Sequence, residues 1–205
     1  MSTRGRLITF EGIDGSGKTT QIDRLEAALR EHGIDVLRTR EPGGTPLGEK
    51  IRSMLLQDAM TPDTETLLFF AARAEHVATV IKPALEAGIW VLSDRFTDAT
   101  YAYQVGGKGV DAARCEALEA WTLQGFAPDK TVLFDIPPAQ AAKRRALRAG
   151  EGDRFERESE AFFSAVRSAY LARAKADPNR FLILDATRAL DEITASMLKG
   201  FESWF

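Results

Sequence analysis

The chain has 205 residues, of which 44% are apolar, and its 27 basic and 30 acidic side chains give a net charge of -3. This length suits one compact domain with its own core, and the slightly acidic balance disfavours a binder of duplex nucleic acid, which needs a strong positive field. No apolar run approaches the ~18 residues of a membrane span, and the single cysteine, Cys115, excludes a disulfide framework. We therefore expect a cytoplasmic protein without a membrane or nucleic-acid partner.

Short apolar runs alternate with helical patterns along the whole chain. Strands are expected at 6–11, 34–40, 89–93, 131–134 and 181–184. The runs at 89–93, 131–134 and 181–184 contain no charged residue and are almost entirely apolar, which is typical of strands buried on both faces of a parallel sheet. Helices are expected, with a kink near Pro83, at 18–31, 47–56, 62–87, 111–125, 138–149, 156–176 and 190–204. This order predicts an α/β fold, a parallel sheet flanked by helices on both faces, in a single domain over residues 1–205.

A phosphate-binding pattern, G-x-x-x-x-G-K-[ST], follows the first expected strand. The pattern, hereafter the P-loop, comprises Gly12, Ile13, Asp14, Gly15, Ser16, Gly17, Lys18 and Thr19, and Thr20 comes next. Its glycines let backbone N–H groups approach phosphate oxygens, and the following helix turns its positive N-terminus towards the anion. Lys18 is expected to reach the β- and γ-phosphates of ATP, and the Thr19 hydroxyl to bind Mg²⁺. A GTPase is disfavoured because the only asparagine, Asn179, is followed by Arg180 and not by the lysine of a guanine-reading motif.

Charged residues follow two other expected strands. Asp94 and Arg95 come directly after the strand at 89–93, at the carboxyl end, where ligands of such sheets bind. Asp94 is suited to hold Mg²⁺ or its water ligands, and Arg95 can grip a phosphate with two N–H groups. The glycine-rich loop 41–46 leaves the second strand in the same way. A surface ion pair and an ordinary turn are the alternatives, but beside a P-loop the pattern favours a second phosphate site.

Two further segments carry groups that suit a nucleotide. Phe69 and Arg73 are four residues apart on one helix, so an aromatic ring and a guanidinium share a face that could stack a base and bind its edge. A core-facing aromatic helix is the alternative. Later, basic residues crowd a glycine-interrupted segment at about 144–157, the predicted lid, which could close over the transferred phosphate or form a solvated charged face. The basic residues here are Lys143, Arg144, Arg145, Arg148, Arg154 and Arg157.

Seven segments together resemble the bacterial thymidylate kinases, a family of P-loop nucleoside monophosphate kinases. They are FEGIDGSGKTTQ, TREPGGTPLGEKIR, FFAARAEHV, SDRFTDATYAYQ, LFDIPPAQAAKRR, GDRFE and LDATR, in family order over nearly the whole chain. The resemblance implies a P-loop NTPase fold with a five-stranded parallel sheet, usually as a homodimer. It also implies transfer of the γ-phosphoryl group of ATP to dTMP, giving ADP and dTDP for dTTP synthesis, with Mg²⁺ bound by Thr19 and Asp94.

Residue roles also follow from the resemblance. It implies dTMP contacts from Asp14 to the sugar 3′-hydroxyl, from Phe69, Arg73, Thr100 and Gln104 to thymine, from Tyr103 at the 2′ position, and from Glu41 and Arg95. Near adenine it places Arg144 and the turn at Thr187 and Arg188. Catalytic roles fall to Lys18, Asp94, Arg95, Arg148 and Arg154. Some relatives carry a basic residue where this chain has Gly15 and Ser16, and the subtype without it supplies positive charge from the lid instead.

Two other functions stay open at this level, besides a kinase acting on another nucleoside monophosphate. A deoxynucleoside kinase would need a base for the neutral 5′-hydroxyl, and Glu41 at a strand end could serve. A regulatory module could bind a nucleotide without phosphoryl transfer, although a second phosphate site argues against it. His32 and His76 are expected to have surface or packing roles, and Cys115 to be a small buried apolar side chain.

Overall fold

One parallel sheet forms the centre of the molecule. The structure, a computed structural model, describes residues 4–147, 154–155 and 157–204. Within these residues five strands pair in the order β2-β3-β1-β4-β5. The strands are β1 Leu7–Glu11, β2 Val36–Arg40, β3 Trp90–Asp94, β4 Lys130–Asp135 and β5 Phe181–Asp185. Every expected strand is confirmed, with boundaries shifted by one or two residues.

The register of the strands brings the predicted functional segments to one edge of the sheet. Asp94 of β3 pairs with Phe10 of β1 on one side and with Arg40 of β2 on the other. The carboxyl ends of three strands therefore lie side by side. Consequently the P-loop after β1, the loop after β2 and Arg95 after β3 all leave the sheet at the same place.

Helices flank the sheet. The helical segments are α1 Lys18–Glu31, α2 Pro46–Gln57, α3 Pro62–His76, a π-helical segment Val77–Ile81, α4 Lys82–Glu86, α5 Thr97–Thr100, a π-helical segment Tyr101–Gly107, α6 Ala112–Leu123, α7 Pro138–Ala146, α8 Glu160–Ala176, α9 Leu190–Lys199 and a 3₁₀ turn Glu202–Trp204. The chain moves from β1 to β2 in one direction and from β3 to β4 in the other. Since such crossovers are right-handed, helices lie on both faces of the sheet.

Local sequence explains where several helices begin. Thr45, Thr61 and Ser159 stand just before α2, α3 and α8, and each side-chain oxygen accepts a hydrogen bond from a backbone N–H of the first turn. In α2 and α3 a proline follows the cap, where its missing N–H leaves no bond unmade. Because the Ser159 cap fixes its start, α8 begins at Glu160 and not at residue 156 as expected.

Three other expectations need correction. The helix expected at 62–87 contains the π-helical segment just before Pro83, which lacks an N–H group and cannot donate in the regular α pattern. The last helix, expected at 190–204, ends at Lys199, and only a 3₁₀ turn follows it. Helix α7, expected at 138–149, ends at Ala146, and residues 148 and 149 lie outside the described ranges. The helical stretch 97–107 was not expected at all.

The core lies on both faces of the sheet, because alternate residues of β1 pack into separate clusters of buried side chains. All five residues of β1 are buried, and so are Phe162, Phe163 and Tyr170 of α8. Cys115 is buried as well, which confirms its expected role as a small apolar side chain. In the part of the chain that the structure describes, no helix is long and apolar enough to cross a membrane.

Candidate functional site

A cleft of about 940 Å³, measured out to its open mouth, lies at the carboxyl ends of the strands. It brings together most of the predicted site residues, namely Asp14, Gly15, Gly17, Lys18, Thr19, Glu41, Phe69, Arg73, Asp94, Arg95, Thr100, Tyr103 and Gln104. Separate predictions from the P-loop, the two strand ends and α3 therefore describe one site.

The P-loop has the backbone that its glycines predict. Gly12, Gly15 and Gly17 have φ angles of 133°, 91° and 89°, which other residues rarely adopt. The buried Lys18 donates from Nζ to the carbonyl oxygens of Gly12 at 2.9 Å and Ile13 at 3.4 Å. Burial, reinforced by the nearby Arg95, lowers the pKa of Lys18. The ammonium group thus donates to backbone carbonyl oxygens, and the oxygens of a bound anion could replace them as acceptors.

Helix α7 covers one side of the P-loop. A side-chain carbon on Gly15 would lie 2.4 Å from the Ala141 carbonyl oxygen, so the two backbones touch. Arg145 donates from Nη1 to the Asp14 carbonyl oxygen at 2.7 Å and stacks on Phe163. The sequence singled out Arg144 for a nucleotide contact, whereas on α7 it is Arg145 that contacts the P-loop.

Arg95 joins the P-loop to the acceptor half of the cleft. Its Nη1 donates to the Gly12 carbonyl and the Tyr170 hydroxyl, both at 3.1 Å, and its Nη2 donates to Asp14 at 2.8 Å and the Tyr103 hydroxyl at 3.1 Å. Although burial acts against the charge of Asp14, Arg95 and Lys18 lower the pKa of this carboxyl to about 2. The guanidinium is a preorganised cation aimed at the P-loop.

A buried carboxyl group, that of Glu11, lies behind Arg95. Its Oε1 accepts from the Phe96 N–H and its Oε2 from the Tyr170 hydroxyl, each at 2.7 Å. Burial, together with the charge of Asp98, raises the pKa of Glu11 to about 8 against the opposing effect of Arg95. Glu11 falls within the first expected strand and Tyr170 within an expected helix, and neither was predicted to belong to the site. An acidic residue at the end of an otherwise apolar run was the available signal.

Arg73 is the buried cation of the acceptor half. It donates from Nε to Glu41 Oε2 at 2.7 Å and from Nη2 to the Phe96 carbonyl and Thr100 Oγ1, both at 3.1 Å. Its Nη1 is buried and has no hydrogen-bond partner among the described residues. An arginine in this position can donate one further hydrogen bond to a ligand atom.

Glu41 is engaged through both of its oxygens. Besides Arg73, it accepts from the ring Nδ1 of His76 at 3.0 Å, and His76 Nε2 lies 2.7 Å from the hydroxyl of Thr39. All of these groups are buried or partly buried. His76 therefore has the structural role that was expected for it, and Glu41 fixes Arg73.

Known proteins of one family are similar to this chain in sequence and in structure. The family model described as thymidylate kinase matches residues 10–197. The thymidylate kinase of Methylobacillus flagellatus is 53% identical over 195 residues, covering 95% of this chain and 96% of that protein. The thymidylate kinase of Burkholderia vietnamiensis is 56% identical over 194 residues, covering 93% and 94%. A crystal structure of thymidylate kinase from Ehrlichia chaffeensis has 32% identity and a TM-score of 0.78, covering 97% of this chain and 99% of that one.

The chain belongs to the thymidylate kinase family. It is accordingly a kinase, that is, a phosphotransferase, with the P-loop NTPase fold, and the resemblance drawn from its motifs is confirmed.

The remaining residues that the thymidylate kinase resemblance singled out lie outside the cleft lining. Gly12, Ile13 and Ser16 are buried within the P-loop, Thr20 is exposed on α1, and Arg144 is half-buried on α7. Thr187 and Arg188 lie in an exposed turn after β5, where the Thr187 hydroxyl and N–H donate to Asp185. Arg148 lies outside the described residues.

Arg154, at the far end of the predicted lid, contacts α2 and α3 and not the P-loop. It forms an ion pair with the buried Glu65 and donates from Nε to the Leu55 carbonyl oxygen. Its guanidinium also stacks on Phe155, a residue that lines the cleft and lies 6.2 Å from the Phe69 ring, between ring centres. Sequence reasoning missed Phe155, although it lies in the quoted segment GDRFE, and it missed Glu65, which lies in a segment without a recognisable motif.

Proposed function

We propose that this chain transfers the γ-phosphoryl group of ATP to dTMP, giving ADP and dTDP. The observation that carries the proposal is that one cleft contains both Lys18 of the P-loop and the buried, incompletely bonded Arg73. Arg95 contacts the P-loop, and the next residue, Phe96, contacts Arg73. A nucleotide bound by Arg73 would thus hold its phosphate near Arg95 and the P-loop.

The acceptor half suits thymine. The Arg73 Nη1 donor matches the O4 oxygen of thymine, whereas cytosine would place an amino group against it and leave a buried donor unpaired. Phe69 lines the same half of the cleft and offers a ring on which the base can stack. The Tyr103 hydroxyl, which contacts Arg95 and Asp14, is proposed to crowd the 2′ position of the sugar, and Asp14 to bind the 3′-hydroxyl.

The proposed chemistry needs positioning and charge more than a base. The acceptor is itself a phosphate, largely ionised near neutral pH, so its oxygen attacks without a proton acceptor. Lys18 and Arg95 would hold the two anions in line and screen their repulsion. We propose that the lid, at about 144–157, adds further positive charge through Arg148 and Arg154 and excludes water.

Mg²⁺ fits the residues beside the P-loop. The Asp94 Oδ1 atom is buried and lacks a hydrogen-bond partner among the described residues, and the exposed Thr19 lines the same cleft. Among those residues no group of three or more His, Cys, Asp or Glu side chains could hold a metal by itself. We therefore propose that Thr19 and Asp94 hold Mg²⁺ together with phosphate oxygens and water, as is usual for this ion. The ion would neutralise charge on the phosphates.

The rival deoxynucleoside kinase is disfavoured by the contacts of Glu41. Its two oxygens accept from Arg73 and His76, and its side chain is almost fully buried. A carboxylate so engaged is poorly placed to take a proton from a 5′-hydroxyl. The other rival, a regulatory module, does not need the second cation site that Arg95 supplies.

Phosphoryl transfer from ATP to a panel of nucleosides and nucleoside monophosphates tests the proposal. We expect dTMP to be the preferred acceptor, Lys18→Ala to lose turnover, and Arg95→Ala to lose it by at least tenfold, about the value of one charge-assisted hydrogen bond. Arg4→Ala, which removes an exposed arginine paired with Asp129, is the matched control. Turnover of thymidine with refusal of dTMP would overturn the proposal.

The chain is also proposed to form a homodimer, as the resemblance implies. Leu67 on α3 and Trp121 on α6 are 55% and 75% exposed, and Arg114 of α6 is paired with Asp63 of α3. Burial of these apolar side chains by a second copy would be favourable. Light scattering should give twice the chain mass, and a monomer at micromolar concentration would refute the dimer.

A further inference from the structure

Glu65 on α3 is a fully buried carboxylate that contacts three polar side chains. Its Oε1 accepts from the amide Nε2 of Gln104 at 2.7 Å, and its Oε2 accepts from the Lys108 ammonium at 2.8 Å. Arg154 forms a second ion pair with Oε2. One buried acidic group therefore joins α3, the π-helical segment Tyr101–Gly107 and the end of the lid.

The contact with Glu65 decides which way the Gln104 amide points. An ion-paired carboxylate only accepts hydrogen bonds, so the amide must turn its nitrogen to Glu65 and its oxygen to the other side. Gln104 lines the cleft, and its amide oxygen accepts no hydrogen bond from the described residues. The oxygen is therefore the end of the amide that is free to meet a ligand.

We propose that Glu65 is a positioning residue that sets base selectivity by holding Gln104 with its amide oxygen towards the cleft. This inference rests on the proposed function. A fixed acceptor matches the imide N3–H of a thymine-type base. In cytosine the same atom is itself an acceptor, and two lone pairs would face each other. Arg73 at O4 and Gln104 at N3 would then read adjacent atoms of one base edge.

A glutamate at position 65 can fix this orientation where a glutamine cannot. Two facing amides can pair in either sense, nitrogen to oxygen or oxygen to nitrogen. In E65Q the Gln104 amide would be free to reverse and to offer its nitrogen to cytosine. Arg73 is unchanged in the variant, so discrimination at position 4 of the base remains and only the N3 contribution is lost.

The test measures the dissociation constants of dTMP and dCMP by titration of the wild type and E65Q. We expect the ratio of the two constants to narrow by about tenfold in E65Q, which corresponds to one neutral hydrogen bond. K108Q is the matched control because it removes one cation from the same carboxylate and leaves the Gln104 contact in place. Its ratio should equal that of the wild type.

A double-mutant cycle of E65Q and Q104A separates the positioning of Gln104 by Glu65 from a general structural effect of E65Q. If Glu65 acts through Gln104, adding E65Q to Q104A should leave the ratio unchanged. An unchanged ratio in E65Q, or the same narrowing in the Q104A background, would overturn the inference. If E65Q fails to fold, the double variant E65Q/K108Q replaces it. The double variant loses one cation together with the carboxylate, so the cluster keeps its net charge. Its ratio of dissociation constants is compared with that of K108Q.

The outcome also distinguishes this inference from the proposed function. A wild-type enzyme that binds dCMP as well as dTMP contradicts the proposed function and overturns the inference with it. A wild-type preference for dTMP that survives E65Q overturns only the role of Glu65.

Discussion

Arg95 has an unusual backbone conformation that its neighbours must hold. Its φ angle is 71°, a region that costs a non-glycine residue about 1–3 kcal/mol and is common at functional sites. Glu11 acts on both sides of this residue. One of its oxygens binds the N–H of Phe96, and the other binds Tyr170, whose hydroxyl accepts from the Arg95 guanidinium. The Glu11 carboxyl group thereby fixes the backbone and the side chain of Arg95 together.

Removal of the Tyr170 hydroxyl should weaken dTMP binding. In Tyr170→Phe the guanidinium of Arg95 loses one of its four hydrogen bonds and Glu11 loses a donor, while the ring still fills its place in the core. We expect the KM for dTMP to rise roughly tenfold, the usual effect of one hydrogen bond to a charged group, with a smaller change in the KM for ATP. Steady-state kinetics measures both.

Tyr101→Phe is the control for this substitution. The Tyr101 hydroxyl donates to Glu119 at 2.6 Å, away from the cleft lining, so its loss removes a comparable bond without touching Arg95. Its KM for dTMP should stay within twofold of the wild type. Equal effects of the two substitutions on that KM would contradict the positioning role of Tyr170.

Glu11 should make stability depend on pH. Since the pKa of Glu11 is raised to about 8 in the folded state, the folded chain binds a proton that the unfolded chain releases at an ordinary carboxyl pKa. The contribution of Glu11 to the free energy of unfolding is therefore complete in acid and falls as pH rises towards 8, by at most about 1.4 kcal/mol per unit. Glu11→Gln cannot titrate and lacks this slope.

Urea unfolding of the wild type and Glu11→Gln at pH 5, 6, 7 and 8 provides the measurement. The free energy of unfolding of the wild type minus that of the variant should fall steadily as pH rises. The other titrating groups are present in both proteins, so their contributions cancel. A difference that is constant over this range would show that Glu11 titrates below it.

At the residue scale, site residues could be predicted from the sequence only where a short local pattern carries them. The P-loop could be predicted because eight consecutive residues carry it. Glu11 and Tyr170 are 159 residues apart, and Glu65 and Gln104 are 39 apart. No short pattern encodes such pairs, so the residues that hold Arg95 and Gln104 in place emerge only from the fold.

At the element scale, the strands and most helices could be predicted from periodicity, and the helical stretch 97–107 could not. Its sequence is rich in threonine, tyrosine and glycine, which are weak helix formers. Packing on α8 explains why it is helical nonetheless. A side-chain carbon on Gly106 would lie 2.5 Å from the Ala169 Cβ, and one on Gly107 would lie 2.4 Å from the Phe162 ring. These glycines allow a close helix contact that outweighs their low propensity.

The contact between α7 and the P-loop should be detectable in two glycine substitutions. Gly15 and Gly17 have nearly equal φ angles, 91° and 89°, so alanine at either costs about 1–2 kcal/mol of backbone strain. Only at Gly15 does the new methyl group meet the Ala141 carbonyl, whereas nothing lies within 4 Å at Gly17. We expect Gly15→Ala to be less stable than Gly17→Ala by about 1–3 kcal/mol.

Thermal and urea unfolding of the two variants without nucleotide gives this difference, with Gly17→Ala as the control for strain. Equal losses of stability would mean that α7 moves away from the P-loop at little cost.

At the scale of the whole molecule, the acceptor site draws on many elements. Glu41 follows β2, Arg73 lies on α3, Arg95 follows β3 and Tyr170 lies on α8. We propose that these elements belong to one domain over residues 1–205, with the lid as a part of it. Binding of dTMP should then stabilise the entire fold and not only the cleft.

Tryptophan fluorescence can report on this coupling far from the cleft. Trp90 and Trp204 pack with their ring centres 5.8 Å apart, with Arg6 over both rings, and Trp90 begins β3 while the cleft is at the opposite end of the strand. The third tryptophan, Trp121, is exposed, so Trp121→Phe leaves only this pair. In that variant, dTMP at about 100 times its dissociation constant should raise the free energy of unfolding by about 2.7 kcal/mol.

The same shift should appear in far-ultraviolet circular dichroism, because a single domain unfolds in one cooperative transition. An equal concentration of dCMP, which the cleft is proposed to bind more weakly, should give a smaller shift and serves as the control. A fluorescence midpoint that differs from the dichroism midpoint, or that dTMP leaves unchanged, would show that the Trp90–Trp204 contact belongs to a unit that unfolds separately. Since β3 carries Trp90 at one end and Asp94 at the other, the single-domain proposal requires dTMP to shift the fluorescence midpoint and the dichroism midpoint by the same amount.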